Sequence, residues 1–201
     1  LPVLKSLGGW DEYNVTEDCD LGLRLFIAGW QTRILNSTTW EQACPSLPYW
    51  IRQRSRWVKG YVQTYLVHMR SPWHLTRGLG ILNSTHFHFL IGGTPLCQLL
   101  NPLYWLLTSI WIVSQNTAFS AYFPGPVFLM AAVCLFAGNF LFAYTCSIAC
   151  VRRGMGHLVI YGLTMPVYWI LMSIAAWKGC LQLLWNPHYW EKTKHFGNSW
   201  Q

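Results

Sequence analysis

The sequence is poor in charged residues, and acidic residues are the scarcest of them. Asp and Glu number seven among 201 residues, against fourteen Lys and Arg, which gives a formal net charge of +7 at pH 7. Charged residues make up 10% of the chain, whereas an average soluble domain contains about 25%. This deficit argues against an ordinary soluble domain. The positive balance suits anionic lipid head groups or a phosphate-bearing substrate.

Residue patterns that bind metal ions are also missing. The seven Cys residues show no metal-site spacing, and most lie in or beside apolar runs, where small buried hydrophobic side chains are expected. His86 and His88 are two positions apart, so they do not share a helix face, and no third ligand is near in the sequence. We therefore expect no metal site within this sequence.

Hydrophobic residues, by contrast, form 53% of the chain and concentrate in its second half. The runs 98–115, 126–150 and 156–178 are long enough to cross a bilayer, and the run 79–97 is shorter and interrupted by polar residues. Thirteen Trp and ten Tyr fit the aromatic enrichment of membrane interfaces. The sequence therefore predicts an integral membrane protein with a helical transmembrane region over residues 78–180, crossing three or four times.

Residues 1–45 have the composition of a soluble segment. Thr16 is a plausible N-cap for a helix over residues 17–28. Residues 30–35 then alternate between apolar and polar side chains, which predicts a short strand, and residues 38–40 predict a second one. A helix followed by strands is typical of the end of an α/β domain.

Residues 46–77 predict a basic amphipathic helix. Ser46 can cap it, and Pro48 suits its first turn. Aromatic and aliphatic residues recur on one side, as in a helix lying in a membrane interface, although an ordinary surface helix is the alternative. The polar residues at helical spacing on a different side are Arg52, Arg56, Lys59 and Gln63.

Four of the seven acidic residues lie within residues 11–18. Carboxylates favour the first turn of a helix, which is one explanation for the cluster. A second motif, Gln-Arg-Ser-Arg-Trp at residues 53–57, changes the interpretation. Thr16-Glu17-Asp18 followed by Gln-x-x-Arg-Trp resembles the membrane-embedded family 2 inverting glycosyltransferases, a group that includes bacterial cellulose synthase and hyaluronan synthase. The resemblance covers residues 3–70 by motif and extends to residue 196 by pattern.

The resemblance implies a fold class. Residues 1–45 would be the C-terminal part of a GT-A catalytic domain, and residues 46–77 the interfacial helix. The expected fold is an α/β GT-A-like catalytic remnant followed by an interfacial amphipathic helix and an α-helical transmembrane region. Residues 181–201 would form a juxtamembrane tail.

The resemblance also implies partners and a cofactor. The expected donor is a nucleotide sugar, UDP-linked, and the expected acceptor is a growing glycan or a lipid-linked molecule; the lipid bilayer is a partner and nucleic acid is not. Mg²⁺ or Mn²⁺ is expected, with ligands upstream of residue 1. The sequence has no initiating Met or signal-peptide pattern, so we interpret it as a fragment that is inactive alone.

Roles for the first motif follow from the chemistry of inverting sugar transfer. A base must take the proton from the acceptor hydroxyl while the nucleotide leaves from the opposite face of the sugar. A carboxylate suits this task, and the resemblance assigns it to Asp18. Glu17 and Thr16 would bind substrate by shaping the site.

Roles for the second motif follow from the charge of the leaving diphosphate. Gln53 and Arg56 would contact the diphosphate of the donor, because a positive charge stabilises it as it departs. Trp57 would stack on the acceptor sugar, since an indole covers the apolar C–H surface of a pyranose. Arg54 occupies a variable position of the motif and receives no role.

The tail and the membrane topology leave alternatives open. The tail resembles a Trp-Glu-Lys-Thr signature of one bacterial branch and, loosely, the gating-loop motif of cellulose synthases, but a juxtamembrane anchor explains it equally.

The expected location is a bacterial inner or plasma membrane, with the catalytic face in the cytosol. With four crossings the tail returns to the cytosol, but Arg152 and Arg153 lie outside, against the positive-inside rule. With three crossings Arg152 and Arg153 lie in the cytosol, and the tail lies outside. We favour four.

Two other functional classes compete with the transferase. A membrane transporter or channel fragment with a cytosolic amphipathic helix would more often carry ionisable residues in its spans, and the three long runs have none. A non-catalytic membrane anchor leaves the joint occurrence of the two motifs unexplained.

Overall fold

The computed structural model describes residues 2–44, 46–114 and 124–192. In these residues the α-helices are α1 Pro2–Ser6, α2 Glu17–Ile27, α3 Leu47–His68, α4 Pro72–Phe87, α5 Thr94–Ser114, α6 Gly125–Val133, α7 Asn139–Arg152 and α8 Met165–Trp185. The π-helical segments are His88–Gly93 and Cys134–Gly138, and the 3₁₀ segment is Gly156–Thr164. The chain forms two compact units, one of Leu1–Leu99 with Ile174–Gln201 and one of Leu100–Ser173.

The predicted α/β, GT-A-like fold class is wrong for this part of the chain, because its described residues form helices and no strand. Residues 30–35 and 38–40, expected as strands, are irregular. Ile34 and Leu35 point away from any core, since both side chains are largely exposed. A strand needs a neighbouring strand to pair with its backbone, and nothing in the described ranges supplies one.

The helix predicted over residues 17–28 is present as α2. Thr16 precedes it at the N-cap position. Gly29 follows it with φ of 82°, the left-handed conformation that favours glycine and ends helices. The Trp30 N–H donates back to Leu25 O at 3.0 Å, which completes a local stop signal. These local signals explain why α2 was predictable.

Helix α3 begins after Ser46 with Pro48 in its first turn, as expected. Only part of its polar side faces outward, however. Arg52 is exposed, but Lys59 and Gln63, expected on the same basic face, are buried, because residues 186–192 cover them. Lys59 is fully buried, so this helix is a central element of the first unit.

Helix α4 completes the first unit with a small apolar core. Leu75, Leu79 and Phe87 are its buried members, and they pack against side chains of α2 and α3. Gly80 has non-helical backbone angles, φ of 75° and ψ of 166°, and therefore bends α4 near its middle. The partly buried residues around this core are Leu23, Ile27, Tyr65, Met69 and Ile91.

Three apolar helical runs are long enough to cross a membrane: Pro72–Ser114, Gly125–Arg152 and Gly156–Trp185. The sequence stretches 79–97 and 98–115, expected as separate segments, belong to the first of these continuous runs. The described residues thus contain three candidate spans, where four segments were favoured from the sequence.

The second unit pairs α7 with the 3₁₀ segment Gly156–Thr164. Gly162 lies against the α7 backbone, where a Cβ would be 3.4 Å from Ala143 O. Small residues allow such close approach between membrane helices. Trp169 Nε1 donates a hydrogen bond to Asn139 Oδ1 at 3.0 Å, which satisfies two polar groups in an apolar setting.

Candidate functional site

The loop that carries Thr16 lies directly on α3, about one to two helical turns after the Gln-x-x-Arg-Trp motif. Asn14 Nδ2 donates to Thr64 Oγ1 at 2.9 Å, and the Val15 N–H donates to Gln63 Oε1 at 3.4 Å. Asn14, Val15 and Thr16 are all buried. Because this loop is held on α3, the first turn of α2 is positioned beside the Gln-x-x-Arg-Trp helix.

The two carboxylates of the first motif are exposed beside α3. Glu17 and Asp18 both have exposed side chains. Burial lowers the pKa of Arg56 below its usual value, and the nearby Glu17 carboxylate opposes this shift. Burial raises the pKa of Tyr61 above 10.0, and Cys19 and the Asp18 carboxylate add to the rise. The two carboxylates therefore act electrostatically on residues of α3, Glu17 on Arg56 and Asp18 on Tyr61.

Arg54, which received no role from the sequence, contacts the aromatic residues of the second motif. Its guanidinium carbon lies 4.2 Å from the ring centroid of Trp57 and 5.5 Å from that of Trp50. Its positive charge also opposes the upward shift in the pKa of Tyr61. Trp57 is 38% exposed, and Arg54 covers part of its ring. The Arg-x-x-Trp spacing within one helix could have indicated this pair.

The C-terminal segment 186–192 lies against α3 beside the Thr16 loop, and Gln63 bonds to both. Lys59 Nζ donates to Asn186 O at 2.6 Å and to Tyr189 O at 3.0 Å. Gln63 Nε2 donates to Pro187 O at 2.8 Å. Burying an ammonium group is costly unless it is hydrogen-bonded, and these carbonyl oxygens supply the bonds. Burial lowers the pKa of Lys59, and the Glu191 carboxylate opposes the change.

The same segment brings an aromatic side chain to the second motif. Arg56 Cζ lies 5.1 Å from the ring centroid of Trp190. Glu191 forms ion pairs with Lys178 and with Arg52, the latter at 3.5 Å. The Trp-Glu-Lys-Thr signature singles out this region of the sequence, but it does not predict which residues of α3 contact the region. Thr193, Lys194, His195 and the rest of 193–201 lie outside the described residues.

The segment also reaches the acidic loop at the start of the chain. His188 Nδ1 lies 3.1 Å from Tyr13 O, and the two rings meet edge to face at 5.3 Å. Between them and α2 is an open cleft of about 260 Å³. Its lining residues are Trp10, Asp11, Glu12, Asn14, Val15, Glu17, His188 and Trp190. Carboxylates that accept hydrogen bonds from sugar hydroxyls and indoles that stack on sugar rings are suited to carbohydrate.

An ion-pair network around Asp20 connects the start of the acidic loop to α2 and α3. Asp20 is buried and accepts hydrogen bonds from Arg24 at 2.7 Å and His68 at 2.8 Å. Arg24 also donates to Leu7 O and Gly9 O, at 2.6 Å and 2.8 Å. The Gly8-Gly9 turn is therefore tied to α2 and α3.

The predicted site residues are thus partly brought together. Thr16 packs on α3, and the Glu17 and Asp18 carboxylates act electrostatically on that helix. Gln53 accepts from Cys44 Sγ at 3.3 Å, and Trp57 lies under Arg54. Glu17 lines the cleft, whereas the other predicted site residues do not: Thr16, Asp18, Gln53, Arg56 and Trp57. The roles of these residues remain predictions.

The described residues do not fit a divalent-cation site, because no group of three or more His, Cys, Asp or Glu side chains could hold a metal ion. The expected Mg²⁺ or Mn²⁺ therefore rests on the resemblance.

The chain matches the sequence model of the glycosyl transferase family group 2 over residues 2–186. It is 32% identical over 88 residues to the probable glycosyltransferase YdaM of Bacillus subtilis, which covers 43% of this chain and 21% of that protein. It is 35% identical over 79 residues to a beta-monoglucosyldiacylglycerol synthase of Synechocystis, 38% of this chain and 16% of that protein. A protein of the same name from Trichormus variabilis is 37% identical over 65 residues, 31% of this chain and 14% of that protein. The chain therefore matches about a fifth or less of the length of these relatives. No solved structure matches it.

Proposed function

Because the chain belongs to the glycosyl transferase family group 2, we propose that the whole protein is a membrane-bound inverting glycosyltransferase with a lipid acceptor. The observation that supports this proposal is the contact between the Thr16 loop and α3, the helix that also carries Gln-x-x-Arg-Trp. Relatives named as beta-monoglucosyldiacylglycerol synthases favour a lipid acceptor over a growing polysaccharide. The donor is a nucleotide sugar, which we propose to be UDP-linked.

The proposed reaction moves one sugar in a single displacement. The acceptor oxygen bonds to the anomeric carbon of the donor, and the bond between that carbon and the diphosphate oxygen breaks with its electron pair on the diphosphate. The Asp18 carboxylate accepts the acceptor proton. Attack opposite the leaving group inverts the configuration at the anomeric carbon.

The side chains around Asp18 supply charge and shape. Arg56 and Gln53 would face the departing diphosphate, whose developing charge a guanidinium stabilises. Trp57 would present its ring to the acceptor. Glu17, on the cleft with Trp190, would accept hydrogen bonds from substrate hydroxyls.

The three candidate spans support a membrane location, which we propose to be a bacterial inner or plasma membrane. The catalytic face would be cytosolic, because nucleotide sugars are cytosolic. α3 would then lie at the cytosolic interface, with the acceptor lipid arriving from the adjacent leaflet.

The proposed function is tested with Asp18→Asn in the full-length membrane protein, using Glu17→Gln as the matched variant. Loss of a general base lowers the rate by about 10²–10⁴, or about 3–5 kcal/mol of barrier. If Asp18 only supports the start of α2, the change costs about 0.3–1 kcal/mol. Transfer of labelled sugar to membrane lipid and donor binding are measured in the same membranes. Transfer above about a tenth of wild type by Asp18→Asn would contradict the role of Asp18.

A further inference from the structure

An apolar groove of about 280 Å³ begins one residue after Asp18 and is separate from the acidic cleft. Its wall on α2 is one face of the helix, since the lining residues recur at the spacing i, i+3, i+4 and i+7. These residues are Cys19, Gly22, Leu23 and Phe26. Along α2 the groove extends about 10 Å, at about 1.5 Å of rise per residue.

The opposite wall comes from α4 and the π-helical segment after it. Its apolar members are Leu79, Phe87, Leu90 and Ile91. All four belong to the run Pro72–Ser114, which is apolar and long enough to cross a membrane. Phe26 and Leu90 at the rim are 45% and 65% exposed. The groove is therefore continuous with a surface suited to lipid.

The chemistry of the lining restricts the occupant. None of the described residues that line the groove is Asp, Glu, Lys or Arg, so a phosphate finds no carboxylate, ammonium or guanidinium partner there. The polar lining residues are Thr64, Asn83 and His86. Thr64 already accepts a hydrogen bond from Asn14, and Asn83 already donates one to Leu79 O, so apolar side chains dominate the lining. Pockets for whole small molecules measure about 300–1,000 Å³, and this groove is slightly smaller. It has room for one hydrocarbon chain, with a polar head left outside.

We propose that this groove holds an acyl chain of the lipid acceptor and so delivers the acceptor hydroxyl to Asp18. The inference rests on the proposed function and adds a binding site for the substrate. A chain that enters between α2 and α4 from the bilayer leaves its glycerol end at the Cys19 end of the groove. The hydroxyl then lies next to the carboxylate that accepts its proton.

Gly22 provides a direct test because it lines the groove and a Cβ there meets no atom within 4 Å. Gly22→Phe therefore fills the groove without striking the backbone. Ala28→Phe is the matched control, since Ala28 is exposed on α2's C-terminal end and outside the groove. Leu90→Trp narrows the groove from the opposite wall and keeps the test valid if Gly22→Phe folds poorly.

The assay uses the full-length enzyme in detergent, labelled UDP-glucose and UDP-galactose in parallel, and diacylglycerols with chains from hexanoyl to palmitoyl. Burial of each methylene strengthens binding from water about fourfold, so the wild-type acceptor KM should fall with chain length until the groove is full. Gly22→Phe and Leu90→Trp should raise the KM for long-chain acceptors about tenfold or more. They should retain kcat on the shortest acceptor and retain donor binding, while Ala28→Phe should match wild type.

The outcomes separate the two levels of the proposal. Two outcomes would overturn the acyl-chain site and leave the proposed transferase activity intact. One is a wild-type acceptor KM that does not depend on chain length. The other is an acceptor KM that is unchanged in both groove variants. Equal loss of kcat on short and long acceptors would also overturn it, because the variants would then act on Asp18 directly. A wild-type enzyme that binds UDP-sugars but transfers to none of the diacylglycerols would overturn the lipid acceptor itself.

Discussion

A Cβ atom on Gly60 of α3 would lie only 2.3 Å from Cγ2 and Oγ1 of Thr16. Gly60 thus lets the Thr-Glu-Asp loop lie directly on the helix that carries Gln-x-x-Arg-Trp. Gln63 and Thr64 continue the same contact with hydrogen bonds to the loop, at the i+3 and i+4 positions of one helix face. The register between the two motifs therefore depends on a position without a side chain.

Gly60→Ala should separate the two motifs. The added methyl group requires the loop to move, and overpacking of this kind costs about 1–3 kcal/mol. Thermal unfolding in detergent should show a lower midpoint, and sugar transfer should fall. Gly22→Ala is the control for the unfolding measurement, because its Cβ meets no atom within 4 Å and alanine at a helical position is about 1 kcal/mol more favourable than glycine. Equal stability of the two variants would contradict the close contact.

Lys59→Met should release the C-terminal segment from α3. The substitution keeps an unbranched side chain but removes the donor of the part-buried hydrogen bonds to Asn186 O and Tyr189 O. Loss of a hydrogen bond to a charged group costs about 1.5–3 kcal/mol. Backbone hydrogen exchange in residues 186–192 should accelerate. The exposed Lys192, changed to Met in the same way, should leave exchange nearly unchanged. Unaltered protection in Lys59→Met would show that other contacts hold the segment.

Arg54→Gln should weaken acceptor engagement through Trp57. The stacked guanidinium orients the indole, and a partly exposed cation–π contact is worth about 0.5–1 kcal/mol. We expect the acceptor KM to rise about two- to fivefold and donor binding to stay constant, with a larger rise in Trp57→Ala. Arg77, whose Cζ lies 5.2 Å from the Trp73 ring centroid, offers a matched pair outside the site, so Arg77→Gln should keep the wild-type KM.

A double-mutant cycle decides whether Arg54 acts through Trp57. If it does, Arg54→Gln has no further effect once Trp57 is Ala. Additive losses would instead assign Arg54 an independent contact with substrate.

Acidification should destabilise the first unit through Asp20. Burial alone would raise the pKa of this carboxyl group, but hydrogen bonds from His68 and Arg24 outweigh it and hold the pKa below 3.8. Its stabilising contribution is therefore present above about pH 3.8 and is lost as the pH falls through the lower, folded-state value. The free energy of unfolding should decrease in this range. Asp20→Asn should be less stable at neutral pH and lose this part of the pH dependence.

The C-terminal tail should lie on the same membrane face as α3. Lys59 bonds to Asn186 and Tyr189 within one compact unit, and a bilayer cannot separate groups in contact. The contact therefore requires an even number of crossings between α3 and the tail, so at least one of the three candidate runs crosses twice or not at all. Reporters fused after Gln201 and in the Arg70-Ser71 turn should therefore be active on the same side, expected to be the cytosol. A tail reporter active only outside, with the turn reporter inside, would contradict the contact.

Helix positions and membrane runs could be predicted because their signals are local. Thr16 and Gly29 bound α2, and Ser46 and Pro48 start α3, since helix hydrogen bonds join residues four apart. The prediction of a strand at residues 30–35 was wrong, because the backbone hydrogen bonds of a strand are made to a second segment of the chain. The alternation of apolar and polar residues within one segment does not provide that partner.

The sequence by itself determined the apolar runs, the two helices at the site and the two motifs, because each depends on residue type and spacing within one segment. Only the tertiary structure decided what those residues touch. Lys59 looked like part of an exposed basic face, yet it is buried against a carbonyl 127 residues away. No local pattern encodes that partner, because the free energy of burying an ammonium group depends on which distant oxygen atoms the fold brings to it.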